Sequence, residues 1–318
     1  MPLTTDKVLV TQADEVKNLL KGAFNTPPGY RPAHAKGTLL TGTWQPTTPP
    51  SPLTKAWHIQ TKTTVQARFS HSTGIPTIPS NAPNSVPKGL AIRFNYPLTP
   101  TGHRKHTDIV AHSTPFFPTR TGAEFGAFLR ALGASQGEGV GHPTPIEEFL
   151  GEHPSTLSFV QALKPLPTSF GTEKYYGLNA FKFIAENGDE TFVRYEFVPV
   201  AGLSHLTDEE AKGKGDDYLA EEIRERVSQG PVGIKLVVQV AEEGDVVNDV
   251  TVHWPAERLK VELGTIWLDT VDEDGLETQK KTIFDPIPRV EGIEPSDDPL
   301  LEFRAALYLI SGRERRAA

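Results

Sequence analysis

The sequence predicts an α+β fold in which an antiparallel β-barrel is decorated with helices. Segments with strand character follow one another early in the chain, helices interrupt them in the middle, and a helix closes the chain. The regular alternation of strands and helices that a doubly wound parallel sheet requires is missing. Proline-rich stretches over residues 45–53 and 75–87 are predicted to be loops between strands. This order favours a closed antiparallel sheet.

The individual elements follow from the periodicity of the apolar residues. The first helix is predicted over residues 11–22, where leucines and a valine recur at helical spacing. A charged amphipathic helix is predicted over residues 208–227, with interruptions near its start at Gly213 and Gly215. The other helices are predicted over residues 123–132, 145–150, 156–163 and 299–311. Strands are predicted over residues 38–44, 63–71, 90–96, 108–113, 180–184, 192–198, 232–241 and 263–270.

Cysteine content and charge exclude several classes of function. The 318 residues include no cysteine, which excludes disulfides, thiolate catalysis, iron–sulfur clusters and covalent attachment of c-type haem. The net charge is -8 without a long basic block, which argues against nucleic acid or an anionic membrane as the main partner. The N-terminus lacks a signal-peptide pattern, and no segment approaches the ~20 apolar residues of a membrane span. We therefore expect a cytoplasmic protein.

Two short segments carry side chains whose chemistry suits an iron site. Arg304 and Tyr308 are four residues apart in the closing helix, so they share one face of it. A nearby guanidinium favours the phenolate form of a tyrosine, and tyrosinate is an axial ligand of haem iron. His34, in the segment 30–37, can transfer protons. Each pattern alone also fits a structural role, as a packed tyrosine beside a solvated arginine or as a structural histidine.

Other candidate sites have weaker support. The glycine-rich run at residues 137–141 follows a helix and lacks the Lys–Ser/Thr pair of a phosphate loop, so an ordinary loop is predicted. The acidic run at residues 269–277 does not match EF-hand spacing and is predicted to be a solvated turn. The HExxH pattern of zinc hydrolases is missing from the sequence.

Taken together, six segments in a fixed order resemble the haem catalase superfamily, and in particular its short branch, the catalase-related peroxidases. The resemblance spans roughly residues 24–316 and implies a single catalase-like haem-binding domain over residues 1–318, with a helical N-terminal extension over residues 1–23. The matching segments are HAKG at residues 34–37, ARFS at 67–70, PKGLAIRF at 87–94, DIVAHSTPFF at 108–117, GIEPS at 292–296, and the RxxxY of Arg304 and Tyr308.

The resemblance implies haem b bound between the barrel and the closing helix. Tyr308 would be the iron ligand on one side, with Arg304 bonding its phenolate oxygen. His34 would be the acid/base group on the other side. Ser70 would bond the second ring nitrogen of His34 and fix its tautomer. Phe125 would place an aromatic ring beside the haem.

The resemblance also implies how the haem carboxylates would be held. Arg31 and Arg68 would pair with the two propionates. Arg315 would join them, although Arg313 and Arg316 compete with it for this role from the same stretch of sequence.

One departure from the family pattern concerns the peroxide side of the haem. Full-length catalases carry an asparagine where this chain has His112, and that asparagine orients peroxide. His112 is therefore a candidate catalytic residue, and its presence favours a peroxidase with weak catalase activity. The chain is also shorter than large catalases, so their tetrameric assembly is not carried over and the formation of a homo-oligomer stays open.

The function predicted from the sequence is that of a haem peroxidase. It would reduce hydrogen peroxide, and small organic hydroperoxides as well, with electrons from an unidentified donor. Two alternatives stay open at this point. One is an enzyme that rearranges fatty-acid hydroperoxides on the same fold, and the other is a non-catalytic haem-binding protein.

Overall fold

The structure, a computed structural model, describes residues 2–137 and 139–318, so Met1 and Glu138, the latter in the glycine-rich run, lie outside the described residues. Within these ranges, eight antiparallel strands close into a barrel and a short ninth strand extends it. The strands are β1 (Gly37–Pro46), β2 (Thr63–His71), β3 (Lys88–Asn95), β4 (His106–His112), β5 (Tyr175–Ile184), β6 (Glu190–Pro199), β7 (Val232–Val240), β8 (Lys260–Val271) and β9 (Ile293–Pro295).

The barrel closes because the strands at the two ends of the sheet pair with each other. Hydrogen bonds link the strands in the order β4-β3-β2-β1-β8-β7-β6-β5, and His112 of β4 pairs with Tyr176 of β5. The strand β9 lies outside this ring and pairs with β5. The predicted antiparallel barrel with helices is confirmed, and each of the eight predicted strands overlaps one strand of the barrel.

Helices occupy the connections between the strands and both ends of the chain. Within the described ranges, no helix combines the length and the apolar character needed to cross a membrane. The helices of these ranges are α1 (Lys7–Phe24), α2 (Trp57–Gln60), α3 (Gly122–Ala134), α4 (Pro145–Glu152), α5 (Pro154–Gln161), α6 (Asp208–Lys212), α7 (Tyr218–Gln229), α8 (Gly275–Lys281) and α9 (Pro299–Ala317).

The two faces of β2 have different surroundings. Val65, Ala67 and Phe69 point into the barrel, where they belong to its apolar core. Since successive side chains of a strand alternate between the faces of a sheet, Arg68 and Ser70 lie on the outer face of the barrel. A second apolar cluster, built largely from α1 and α9, packs outside the barrel. Polar side chains of the outer face are therefore enclosed between the sheet and a layer of helices.

The N-terminal helix α1 is longer than predicted and packs against α9. Asp6 caps its start by accepting hydrogen bonds from two backbone N–H groups of the first turn, and Asn25 ends it in the left-handed conformation. Lys17 and Lys21 both form salt bridges with Glu314 of α9, the second at 2.9 Å. The helix predicted over residues 11–22 is thus confirmed, with a cap at each end that extends it.

Several boundaries differ from the predictions. The interruption predicted at Gly213 is confirmed, since Gly213 ends α6 as its C-cap and the segment 208–227 forms two helices. The closing helix continues to Ala317 because a bare Gly312 fits against Ile283, where a β-carbon would lie 2.3 Å from the side chain. The acidic run over residues 269–277 is not a simple turn, since its last residues begin α8.

Two histidines buried at the barrel predict a strong dependence of stability on pH. His58 and His71 are only 1% and 2% exposed. Burial lowers the pKa of His58 to about 3, and burial together with the charge of Lys88 lowers the pKa of His71 to about 2. Histidines of the unfolded chain have a pKa near ~6.5, so below this pH the unfolded chain binds more protons than the folded chain does. Stability is expected to be lost as pH falls from about 6.5 towards 3, by up to ~1.4 kcal/mol per pH unit for each histidine.

Urea unfolding at several pH values in this window checks the expectation. Carboxylates also contribute to acid unfolding, so the variant His58→Leu serves as the comparison. Its free energy of unfolding should fall less steeply with decreasing pH than that of the wild type. The difference between the two slopes should be at most the slope that one bound proton produces, ~1.4 kcal/mol per pH unit. Equal slopes in the two proteins would contradict a neutral buried His58.

Candidate active site

A row of five residues crosses the outer face of the barrel from β1 to β5. The pairing register places Gly37, Ser70, Gly89, His112 and Tyr176 directly opposite one another on successive strands. Directly opposed residues of an antiparallel sheet have their side chains on the same face. The two glycines leave bare backbone on either side of Ser70, which creates room for other groups above the sheet.

His34 fills the room above Gly89. Its Nδ1 lies 3.0 Å from Ser70 Oγ, and a β-carbon at Gly89 would lie 2.7 Å from both of these atoms. The backbone of His34 is left-handed, with φ at +57°, and its N–H donates to Ser72 O at 3.2 Å. A left-handed non-glycine residue is strained and is often found at functional sites. The sequence motif at residues 34–37 did not reveal this conformation.

The imidazole of His34 is electrically neutral. Burial lowers its pKa to about 3, and the positive charges of Arg68, Arg31 and Arg304 add to this effect. His34 is half-buried, so part of its side chain stays accessible. Its Nε2 makes no hydrogen bond to the part of the protein that the structure describes. A neutral ring nitrogen can accept and return a proton.

Three arginines, two of them buried and Arg31 half-buried, gather beside His34. Arg31 Nη2 donates to the backbone oxygens of Gln279 and Thr282 at 3.0 and 2.9 Å. Arg315 Nη2 donates to Thr282 O at 3.0 Å, and Arg68 Nε donates to Gln279 Oε1 at 2.6 Å. Two residues at the end of α8 therefore hold all three guanidinium groups together. We call Arg31, Arg68 and Arg315 the arginine cluster.

The arginine cluster carries positive charge without a matching carboxylate. Across residues 2–137 and 139–318, none of its members forms a salt bridge, and all their acceptors are neutral oxygens. Burial lowers the pKa of Arg68 to about 9, with Arg315 adding to the effect, and burial lowers the pKa of Arg315 to about 10. Arginines nevertheless stay charged in proteins. Uncompensated buried charge is costly, so this cluster suits a ligand that carries carboxylates.

Of the three arginines near the chain's C-terminus, the structure brings one into the cluster. Arg315 is buried, and its Nη1 also donates to Ser311 Oγ at 3.0 Å. Arg313 is exposed. Arg316 is exposed and donates to Lys281 O. The extension of α9 beyond its predicted end is what orients Arg315 inwards.

Tyr308 belongs to a hydrogen-bonded chain on the closing helix. Arg304 donates through Nε and Nη2 to the Tyr308 hydroxyl oxygen, both at 3.3 Å. Arg304 Nη1 also donates to Asn179 Oδ1, and Asn179 Nδ2 donates to Asp298 Oδ2 at 2.8 Å. Asp298 caps the start of α9. The chain aims a guanidinium at the phenol oxygen, an arrangement that stabilises a phenolate.

His112 and Phe125 line the same region from another direction. His112 and His34 lie within electrostatic reach of each other, and so do Tyr308 and Arg31. The ring of Phe117 lies 6.3 Å from that of His112 and 5.3 Å from that of Phe125. Phe125 is thus one aromatic neighbour removed from His112, on the helix α3 that borders the outer layer.

Some residues of this region escaped the sequence analysis. Gln279 and Asn179 act as hydrogen-bond partners of the predicted residues and lie outside the six matching segments. Thr114 lies in the segment 108–117, but its contact with His112 was not predicted. Asn179 and Arg304 are 125 positions apart in the chain. Only the folded arrangement reveals such a contact. No three histidine, aspartate or glutamate side chains within the described ranges converge as they would around a metal ion.

Comparison with known proteins places this geometry in context. A family model described as "Catalase" matches residues 28–318. The chain belongs to the catalase family. This catalase-family chain is 33% identical over 306 residues to a "Catalase-related peroxidase" of Mycolicibacterium paratuberculosis, a match that covers 95% of the chain and 94% of the relative. It is 30% identical over 310 residues to a "Catalase-related peroxidase" of Synechococcus elongatus, covering 95% and 88%.

Solved catalase structures share the fold of the catalase-family chain. A fungal catalase superimposes with a TM-score of 0.78 at 22% identity, covering 100% of this chain and 64% of the fungal one. A bacterial catalase gives a TM-score of 0.77 at 24% identity, covering 99% and 62%. The chain therefore spans about two thirds of the length of these structures, and at such identities the likeness concerns the fold alone.

Catalase-family proteins typically bind haem, and the side chains of this family member are compatible with that group. A haem has two carboxylates, and the arginine cluster has three guanidinium groups whose present acceptors are all neutral. Tyrosinate is an established axial ligand, and Tyr308 has a guanidinium aimed at its oxygen. His34, Arg31 and Tyr308 are each half-buried, so part of each side chain stays accessible.

Proposed function

We propose that the protein is a haem-dependent peroxidase that reduces hydrogen peroxide and small organic hydroperoxides. As a catalase-family homologue of catalase-related peroxidases over 95% of its length, the chain is an oxidoreductase that acts on peroxide. The observation that carries the finer proposal is the pair of His34 and Ser70, a neutral imidazole held above bare glycine backbone and next to the arginine cluster.

The proposal assigns the binding of haem to two groups of residues. Tyr308 would be the ligand of the iron, with Arg304 favouring its anionic form through two hydrogen bonds. Arg31, Arg68 and Arg315 would hold the propionates, because charge-assisted hydrogen bonds from arginine to a carboxylate are among the strongest in proteins. Phe125 would pack beside the ring system. Haem, when bound, supplies the redox-active iron needed to cleave the O–O bond of a peroxide.

The proton transfers of the proposed reaction are the task of His34. Its Nε2 accepts a proton from one peroxide oxygen and returns it to the other, so that a water molecule leaves. Ser70 holds the ring through Nδ1, which keeps Nε2 directed away from the sheet. Two electrons and two further protons from the donor complete the reduction of one peroxide to two waters. The identity of this donor is left open by the residues of the site.

Titration of the haem-free protein with ferric haem tests the proposal, followed by measurement of peroxide consumption with and without an added electron donor. We expect stoichiometric binding and donor-dependent consumption of peroxide. The variant Arg315→Gln should weaken haem affinity by roughly 10- to 100-fold, because a charged hydrogen-bond donor to the carboxylates is lost. Arg313→Gln, an exposed change on the same helix, is the matched control and should bind like the wild type.

The outcomes separate the proposed function from its two alternatives. A protein that binds no haem would overturn the proposal. Haem binding with peroxide decay no faster than that of free haem would indicate a non-catalytic haem-binding protein. An epoxide or ketol formed from a polyunsaturated hydroperoxide without any electron donor would indicate a hydroperoxide-rearranging enzyme.

A further inference from the structure

One ring nitrogen of His112 has no partner. Its Nε2 is out of contact with solvent and makes no hydrogen bond to any residue that the structure describes. The other ring nitrogen, Nδ1, lies 2.6 Å from Thr114 Oγ1 and 3.3 Å from the backbone nitrogen of Thr114. Buried polar atoms nearly always have partners, so an orphaned nitrogen calls for an explanation.

The contacts at Nδ1 determine where the proton of His112 sits. The backbone N–H of Thr114 can only donate, so Nδ1 must present its lone pair. The Thr114 hydroxyl can also donate to Nδ1 at 2.6 Å, and its competing acceptor, Phe116 O, is farther away at 3.4 Å. A neutral imidazole carries one proton, which is therefore on Nε2. The orphaned atom is a hydrogen-bond donor without an acceptor.

The position of His112 relates this donor to the site of His34. Gly89 of β3 pairs with Ser70 of β2 on one side and with His112 of β4 on the other. The side chains of Ser70 and His112 therefore point to the same outer face of the barrel. Neighbouring strands are ~4.8 Å apart, so the two side chains start roughly 10 Å from each other across bare backbone. Ser70 holds His34 in the space between. Two histidines thus lie on the same outer face, one bonded through Ser70 and one through Thr114.

The charge state of His112 supports a role as a donor. Burial lowers its pKa to about 3, and His34 and Arg304 add to this effect. His112 is therefore neutral at physiological pH and keeps a single N–H. It differs from His34, whose Nδ1 contacts a hydroxyl that can either donate or accept.

We propose that Thr114 is a positioning residue that locks His112 in the Nε2–H tautomer, so that His112 donates a hydrogen bond to an oxygen or small anion bound beside His34. This inference rests on the proposed function, since the acceptor would be the peroxide or a small anion that takes its place at the haem. His112 then contributes a donor and His34 the proton transfer, which divides the two tasks between two rings.

Nuclear magnetic resonance of the haem-free protein, labelled with ¹⁵N-histidine, tests the lock by itself. Long-range ¹H–¹⁵N correlations distinguish the two tautomers, and the signals of His112 are those that disappear in His112→Asn. We expect the Nε2–H tautomer in the wild type, a detectable second tautomer in Thr114→Val, and restoration in Thr114→Ser, which keeps the hydroxyl. An Nδ1–H tautomer in the wild type would overturn the lock. Identical spectra in Thr114→Val, which keeps the backbone N–H, would overturn the part assigned to the Thr114 hydroxyl.

Fluoride binding to the haem-loaded protein tests the donor. Fluoride accepts hydrogen bonds and its binding is read from the absorption spectrum without any turnover. We expect His112→Leu to weaken fluoride affinity about tenfold, the value of one hydrogen bond, and His112→Asn, which keeps a donor, to weaken it less. The fluoride affinity of Thr114→Val should lie between those of His112→Leu and His112→Asn. That of Thr114→Ser should be close to the wild-type value. Equal affinities in His112→Leu and the wild type would overturn the donor role.

The two measurements distinguish failure of the proposed function from failure of the inference about His112 and Thr114. If the protein binds no haem, the proposed function fails, whereas the tautomer of His112 still decides the role of Thr114. If haem binds and fluoride affinity does not respond to His112→Leu, the inference fails and the proposed function stands.

Discussion

Replacing His34 with alanine is expected to slow peroxide consumption by the haem-loaded protein roughly 10²- to 10⁴-fold, the usual contribution of general acid–base catalysis. The physical reason is that the imidazole bonded to Ser70, the proposed proton-transferring group, is removed while the arginine cluster and Tyr308 stay in place. Stopped-flow measurement of the first reaction with hydrogen peroxide checks the rate. The absorption spectrum in the same experiment should show that haem remains bound.

Ser70→Ala is the matched control for this variant. It removes one supporting hydrogen bond worth ~1 kcal/mol and should slow the reaction much less than His34→Ala. Because the pKa of His34 is lowered to about 3, its protonation should not slow the wild-type reaction between about pH 5 and 8. Unchanged peroxide consumption in His34→Ala would remove His34 from the mechanism and leave its strained backbone without a functional account.

Replacing Tyr308 with phenylalanine should abolish the anionic oxygen ligand. We expect either loss of haem or a spectrum without the charge-transfer bands of tyrosinate-bound ferric haem, because the ring remains and the oxygen that Arg304 bonds is gone. Titration with ferric haem followed by absorption spectroscopy measures both effects. Tyr176→Phe is the control, since Tyr176 is another half-buried tyrosine of the same apolar cluster. A tyrosinate spectrum that survives in Tyr308→Phe would contradict the ligand assignment.

The arrangement of strands was predictable because each strand carries its own local pattern. Residues 64–70 alternate between polar and apolar side chains, and the strand β2 has the predicted bounds 63–71. The missed features depend on tertiary contacts. The end of α9 depends on Ile283 packing against Gly312, and the start of α8 lies in a run of acidic residues that resembles a turn. Local periodicity contains no information about either.

The candidate site divides in the same way. His34, Arg68, Ser70, Arg304 and Tyr308 could be named from ordered motifs, because their residue types at those spacings are characteristic. Their supporting groups could not. Gln279 and Thr282 accept hydrogen bonds from the arginine cluster through backbone oxygens and one side-chain amide oxygen. Because every residue type has a backbone oxygen, the sequence does not mark these positions. That the site lies on the outer face of the barrel also required the pairing register.

The left-handed backbone of His34 sets selection for stability against selection for chemistry at a single position. A β-carbon in this conformation costs about 1–2 kcal/mol, and glycine or asparagine would carry a smaller penalty. If the proposed activity were no longer needed, replacement of His34 by glycine or asparagine would relieve this backbone strain, so the retention of histidine at this position follows from the chemistry proposed for it.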